Sequence, residues 1–333
     1  MNKYNKYKNN FKHTLLFCIP AVILILIAAA EGQMFTAEPA LEWEILFHRY
    51  SGWSGADGIF SIPLNSVETP RNYRRTGTVF VFSDTFVGDI DSTGRRLAGT
   101  VMINNSLAFL QRGEPDTSNI EFIYRVDSTG AAQTPFIPQT AHSQPGEWYW
   151  LCDGLVYSDT LFIIAHRMAG NRTNPFYRVG TAALKVPLNY PLRYTQNEVP
   201  LQLEAQGSFG PIGFGAGIMQ NTASAGAPHP DGYIYSYGTR EDQYDKKLLV
   251  SRVPESQFTD IGAWRFYNGS SWVADIAESA PISHRVSNEL SVQPLPDGRF
   301  LLVFQQDCIG PDVVCRIGSA PWGPFGGIIQ LYH

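Results

Sequence analysis

The sequence predicts an all-β protein: a five-bladed β-propeller of four-stranded antiparallel blades, with the last blade incomplete in this chain. Two observations predict the class. Short apolar or alternating runs recur from Trp53 to the C-terminus with turn residues between them, and no window sustains a 3.6-residue period beyond two turns. Those runs also fall into sets of four, and three sets are headed by an acid at a matching place: Asp57 in GADGIFSIPL, Asp153 in LCDGLVYS and Glu289 in SNELSVQPL. The composition agrees, since 44% hydrophobic residues, 30 Gly and 22 Pro in 333 residues suit many strands joined by tight turns.

In chain order, Lys3, Lys6, Lys8 and Lys12 precede an apolar stretch from Leu15 to Ala30 that ends in three alanines. A basic start, an apolar run too short for the roughly 20 residues of a membrane span, and a small-residue end predict a signal peptide over residues 1–30. A single propeller domain is expected over residues 31–333. The product would then be secreted, periplasmic or displayed at the cell surface.

EWEILFHRY reads as a strand without a blade of its own, and we assign it to the fifth. The first blade is expected from GIFSIPL, TVFVFSD, INNSLAFLQ and IEFIYRV. The second takes WYWLCDGLVYS, LFIIAHRM, FYRVGTAALKV and the less regular PLRYTQNEVPLQLE. The third takes FGAGIMQ, GYIYSYGT, KLLVSRV and AWRFYNG, and the fourth NELSVQPL, RFLLVFQQ, VVCRIGSA and GIIQLYH. Pro-Asp-Gly before the second strand of both the third and the fourth set marks a hairpin turn, so Asp231 and Asp297 are turn acids. The sequence stops at LYH with little left for further strands, so either the fifth blade is incomplete here or the N-terminal strand pairs in another way.

Formal charge is −5, and beyond the N-terminus the Lys and Arg residues are scattered, so there is no basic stripe for nucleic acid. The Walker, GxGxxG, G-x-S-x-G and HExxH patterns are absent, and no cofactor or metal is expected. After signal removal Cys152, Cys308 and Cys315 remain. The last two flank IGPDVV between two apolar runs and are read as a disulfide across a hairpin, whereas Cys152 reads as a small buried apolar residue.

Function follows from the strand heads. In a propeller the first strand of each blade lies nearest the axis, so Asp57, Asp153 and Glu289 would converge on one mouth, with the slim FGAGIM segment facing them from the third blade. Glycoside hydrolysis needs one carboxylic acid to protonate the leaving oxygen and a second carboxylate to attack or to activate water, while a third can tune a neighbour. The ordinary role of a single Asp beside Gly is a turn or a cap; the shared address of three is what raises the chemical reading. Substrate contacts are expected from Trp53 and Trp150 by stacking, and from Asp84, Asn105 and Arg240 by hydrogen bonding. Packing between blades, turn capping and a solvated charge run are the competing roles of these five. The expected partner is a polysaccharide or oligosaccharide, bound by a monomer.

WSGADGIFSIPL, TVFVFSDTF, RR, MINNSLAF, YWLCDGLV, YIYSYGTRE and SNELSV together resemble a secreted bacterial family of unknown function. That family belongs with five-bladed propellers similar to arabinanases, fructosidases and endo-D-arabinofuranases, and the resemblance runs from about Trp53 to Phe325. It implies an exported, glycan-directed propeller in which Asp57 is base or nucleophile, Asp153 orients and tunes, and Glu289 is the acid. The Glu of those relatives comes from the third blade, whereas Glu289 falls in the fourth.

Overall fold

Alternating apolar residues and Gly-containing turns set up the strands of a computed structural model that describes residues 37–204, 207–242 and 245–333. The leader read over residues 1–30 lies outside the described residues. Blade one is made from β1 (Trp53–Ala56), β2 (Phe60–Pro63), β3 (Thr78–Phe82), β4 (Thr85–Val87), β5 (Val101–Ile103), β6 (Ser106–Leu110) and β7 (Ile120–Ile123). β2, β3, β6 and β7 form its four-stranded sheet, and β1, β4 and β5 form a three-stranded sheet beyond a break in each of the first three chains. A small hairpin, β8 (Arg125–Val126) and β9 (Ala132–Gln133), follows.

Blade two is β10 (Trp148–Tyr157), β11 (Thr160–Ala169), β12 (Tyr177–Pro187) and β13 (Thr195–Glu198) in consecutive antiparallel order. β14 (Gln202–Leu203) joins the next sheet by pairing with β15 (Phe209–Asn221), so the irregular run expected to end blade two divides between two blades. Blade three continues through β16 (Tyr233–Asp242), β17 (Asp245–Pro254), β18 (Arg265–Tyr267) and β19 (Trp272–Val273), and β20 (Ser283–His284) also pairs with β17. Blade four is β21 (Leu290–Pro294), β22 (Phe300–Gln305), β23 (Val313–Gly318) and β24 (Ile329–Tyr332). The expected hairpin turns are present. Asp231 Oδ1 accepts the Tyr233 N–H at 3.0 Å and Asp297 Oδ1 accepts the Arg299 N–H at 3.1 Å.

The blades stack through apolar faces. Ile62, Val79 and Val81 of blade one meet Leu151, Leu161 and Ile163 of blade two. Phe162 and Ile164 of blade two meet Phe214, Ile218 and Leu249 of blade three. Tyr235, Tyr237 and Leu248 of blade three meet Val292, Leu302 and Phe304 of blade four. Each fully buried side chain of this kind contributes about 1.5–3 kcal/mol against exposure, so the three interfaces hold the array together.

This is the all-β propeller of antiparallel blades that the strand sets predict; among the described residues three blades have a four-stranded sheet, and blade three is enlarged to seven strands by β14, β19 and β20. The sector between blade four and blade one is occupied by a cleft. Its walls are Ser61, Thr78 and Phe80 on one side and Ser291, Gln293, Val303 and Gln305 on the other.

Two expectations are corrected. EWEILFHRY is helical: α1 (Leu41–Glu44) runs into a 3₁₀ turn, Ile45–Phe47. Trp43, Leu46 and Phe47 recur at i, i+3 and i+4, which places them on one helical face, and that face covers Trp53, Phe80 and Phe82 of blade one. Cys308 and Cys315 are not bonded to each other. Cys308 sits at φ +71 in the turn after β22, whereas Cys315 is inside β23 opposite Val303, so the two do not oppose one another across the hairpin.

Candidate active site

The strand heads owe their geometry to breaks in the innermost strands. The innermost strand breaks between β1 and β2 at Asp57, where the Asp57 N–H donates to Asp84 O at 3.1 Å and the Ser83 N–H donates to Asp57 O at 3.0 Å. In β10 the register shifts between Leu151 and Gly154, and in β15 between Phe214 and Gly217. A bulge of this kind re-aims the extra side chain. The segments Asp57-Gly58, Asp153-Gly154 and Ala216-Gly217 therefore occupy equivalent places, and Glu289 immediately precedes β21. Blade three carries an alanine where the other three carry an acid.

The Gly after each Asp is a packing requirement. Gly58 has φ +60, and a Cβ there would lie 3.0 Å from Ser83 Oγ. A Cβ on Gly154 would lie 2.2 Å from Phe162 O.

The acids descend from the mouth inward. Asp57 and Glu289 are exposed and Asp153 is half-buried. Loss of hydration, then the charges of Asp84 and Glu289, push the Asp57 carboxyl up to about 6, while backbone N–H bonds work the other way. Burial pushes Asp153 up to about 7 against the N–H of Gly154, donating to Oδ1 at 2.8 Å, and that of Ile218, donating to Oδ2 at 2.7 Å. The structure thus brings Asp57 within electrostatic reach of Glu289, and Asp153 and Glu289 line one cleft of about 790 Å³ that begins beside Asp57, at Ile59.

A third acid lines the same cleft. Glu68, half-buried in the loop between β2 and β3, is pushed up to about 8 by burial and then by the charge of Asp153. The strand-head pattern missed it because it belongs to a loop; its one sequence signal is that it is the sole acid between Leu64 and Gly77.

Of the expected substrate contacts, Asp84 and Trp150 are bonded to each other, and the charge of Asp84 acts on Asp57. The Trp150 indole N–H donates to Asp84 Oδ1 at 2.9 Å, and Trp150 lies 5.3 Å from the exposed Phe176 ring. Trp53 and Asn105 are corrected, whereas Arg240 already has partners on its own strand and its neighbour. Trp53 is a core residue, buried and stacked 4.3 Å from Phe122, with its N–H given to Ser106 Oγ. Asn105 is fully buried; its amide donates to Phe136 O and Tyr149 O and its oxygen accepts the Phe136 N–H, which ties blade one to the chain entering blade two. Arg240 is engaged by Asp242 at 2.8 Å and lies over the Phe209 ring at 4.7 Å.

Among solved structures, a Bacteroides ovatus protein carrying the provisional name of hydrolase matches with a TM-score of 0.65 at 18% identity, over 91% of this chain and 80% of its own. The α-L-arabinofuranosidase PaAbf62A of Podospora anserina matches at 0.41 and 12% identity, over 89% and 71%. The GH43_1 enzyme of Xanthomonas citri matches at 0.40 and 11%, over 87% and 80%. At these identities the likeness is one of fold. No functionally curated protein matches the chain. The domain of unknown function DUF5005 matches residues 41–333.

Proposed function

We propose that this chain, which belongs to the DUF5005 family, is an exported glycoside hydrolase acting on a furanose-containing or related polysaccharide. The observation that carries the reading is the group of carboxyl groups at the axis: Asp57 repelled by Glu289 and Asp84, with Asp153 held by two amides beside them in the cleft. Neighbouring carboxyls that shift one another's proton affinity, as Asp84 and Glu289 shift that of Asp57, are a recurrent feature of acid–base sites. Asp57 acts as base or nucleophile at the sugar carbon, Glu289 protonates the leaving oxygen, and Asp153 orients and tunes. Trp150 and Phe176 offer ring faces at the mouth, and Asp84 offers a carboxylate held by the Trp150 indole.

The test is turnover on arabinans, fructans and cell-wall glycans by the mature protein. Asp57→Asn and Glu289→Gln are each expected to lower kcat at least about a hundredfold with an unchanged melting temperature, in the range that a positioned proton-transfer group contributes. Full activity in both variants would refute the assignment. The aromatic pair favours one second reading, a noncatalytic glycan-binding propeller, whose signature is retention of a glycan without product release.

A further inference from the structure

We propose that Glu68 is a positioning residue that acts through Asp153 from the lining of the shared cleft. The loop carrying it, residues 64–77, leaves blade one and is tied to two other blades. Ser66 Oγ donates to Val156 O of blade two, Gln220 Nε2 of blade three donates to Ser66 O at 3.4 Å, and the Glu68 N–H donates to Ala225 O at 3.1 Å. Asn72 stiffens the loop from within, its amide donating to Val67 O at 2.7 Å and Asn65 Oδ1 at 2.8 Å. Glu68 is thus fixed against blades two and three, and its carboxyl lines the cleft with Asp153.

The two carboxyl groups are treated differently by their surroundings. Both Asp153 oxygens accept backbone N–H groups, which favour the carboxylate. Glu68 has the Gln220 side-chain amide, which also favours the carboxylate, but burial and then the Asp153 charge outweigh it. The titratable groups on the cleft wall around it are Arg71 and Tyr73 on its own loop, Asp153 of blade two and Glu289 of blade four. Two carboxyls in one desolvated neighbourhood do not ionise together without cost, so Asp153, with a backbone N–H on each oxygen, takes the charge first and Glu68 keeps the proton. Neutral Glu68 occupies the cleft wall beside Asp153 without opposing its charge. Its ionisation brings a second charge there, which is relieved by withdrawal of the loop and entry of water, and Asp153 then loses its support.

The effect on turnover rests on the hydrolase reading; the titration does not. In wild type, kcat is expected to fall about tenfold per pH unit above the Glu68 ionisation, as a single essential proton requires, whereas Glu68→Gln keeps the neutral shape and removes that limb while retaining wild-type kcat at pH 6. An alkaline limb shared by both proteins, or a folded Glu68→Gln enzyme inactive at every pH, would overturn the proposal, the second because Glu68 would then be donating its own proton. If no glycan is turned over by wild type, carbon NMR of isotope-labelled glutamate carboxyls gives the answer alone. Glu68, assigned by its loss in Glu68→Gln, should titrate well above the other glutamates and move down in Asp153→Asn; an unchanged midpoint in Asp153→Asn would end the proposal.

Discussion

At the scale of single residues, the site is made by pairs in which an acid supplies chemistry and its neighbour supplies room. Asp153 reaches the cleft because β10 bulges between Leu151 and Gly154, and the bulge closes only because Gly154 has no side chain to meet Phe162 O. Gly154→Ala should therefore destabilise the fold by about 1–3 kcal/mol, as overpacking does, and should also misplace the carboxylate. Denaturant unfolding together with kcat at fixed pH checks both, and an alanine variant with wild-type stability would show that the strands have slack. The strand-head acids were legible from sequence because a repeated fold gives repeated positions a common address. Glu68 was not, because its place depends on a loop crossing to other blades, and Trp53 and Asn105 were misjudged because aromatic and amide groups serve a core as readily as a sugar.

At the scale of elements, the blades were legible and their margins were not. Period-two alternation with Gly and Pro turns marks the strands of each set, but Thr195–Leu203 reads as one run, although Thr195–Glu198 pairs with β12 and Gln202–Leu203 with β15. EWEILFHRY was read by its apolar content, where the spacing of Trp43, Leu46 and Phe47 carried the helical signal. The joint before blade two is held by charge. Arg167 of β11, 6% exposed, bonds Glu147 at 2.6 Å and Glu198 at 2.7 Å, and also donates to His142 O. Arg167→Met leaves two carboxylates facing each other with their cation gone and should cost about 3–5 kcal/mol, the range for breaking a buried pair. A cost below about 1 kcal/mol in denaturant unfolding would mean that water replaces the guanidinium there.

At the scale of the whole molecule, the candidate site opposes the fold that presents it. Asp57, Asp153 and Glu68 are held at about 6, 7 and 8, all above their ordinary values of 3.8, 3.8 and 4.5. Between these limits the folded chain binds more protons than the unfolded one, so stability falls as pH rises. The contribution of the three groups is fully present below about pH 4 and is lost stepwise up to about pH 8. Asp91, Asp116 and Asp127 run the opposite way: turn hydrogen bonds hold them below the usual range, so the stability they add is present above that range and is lost as pH falls from it through their depressed values. The two trends place the stability maximum on the acid side of neutrality. Melting temperature measured from pH 3 to pH 9 should peak near pH 4 to 6 and decline toward pH 8. In the triple variant Asp57→Asn, Asp153→Asn, Glu68→Gln the decline between pH 5 and 8 should flatten while the loss below pH 4 persists. A triple variant that keeps the full alkaline decline would place the responsible protons elsewhere in the molecule and remove the electrostatic argument for this site.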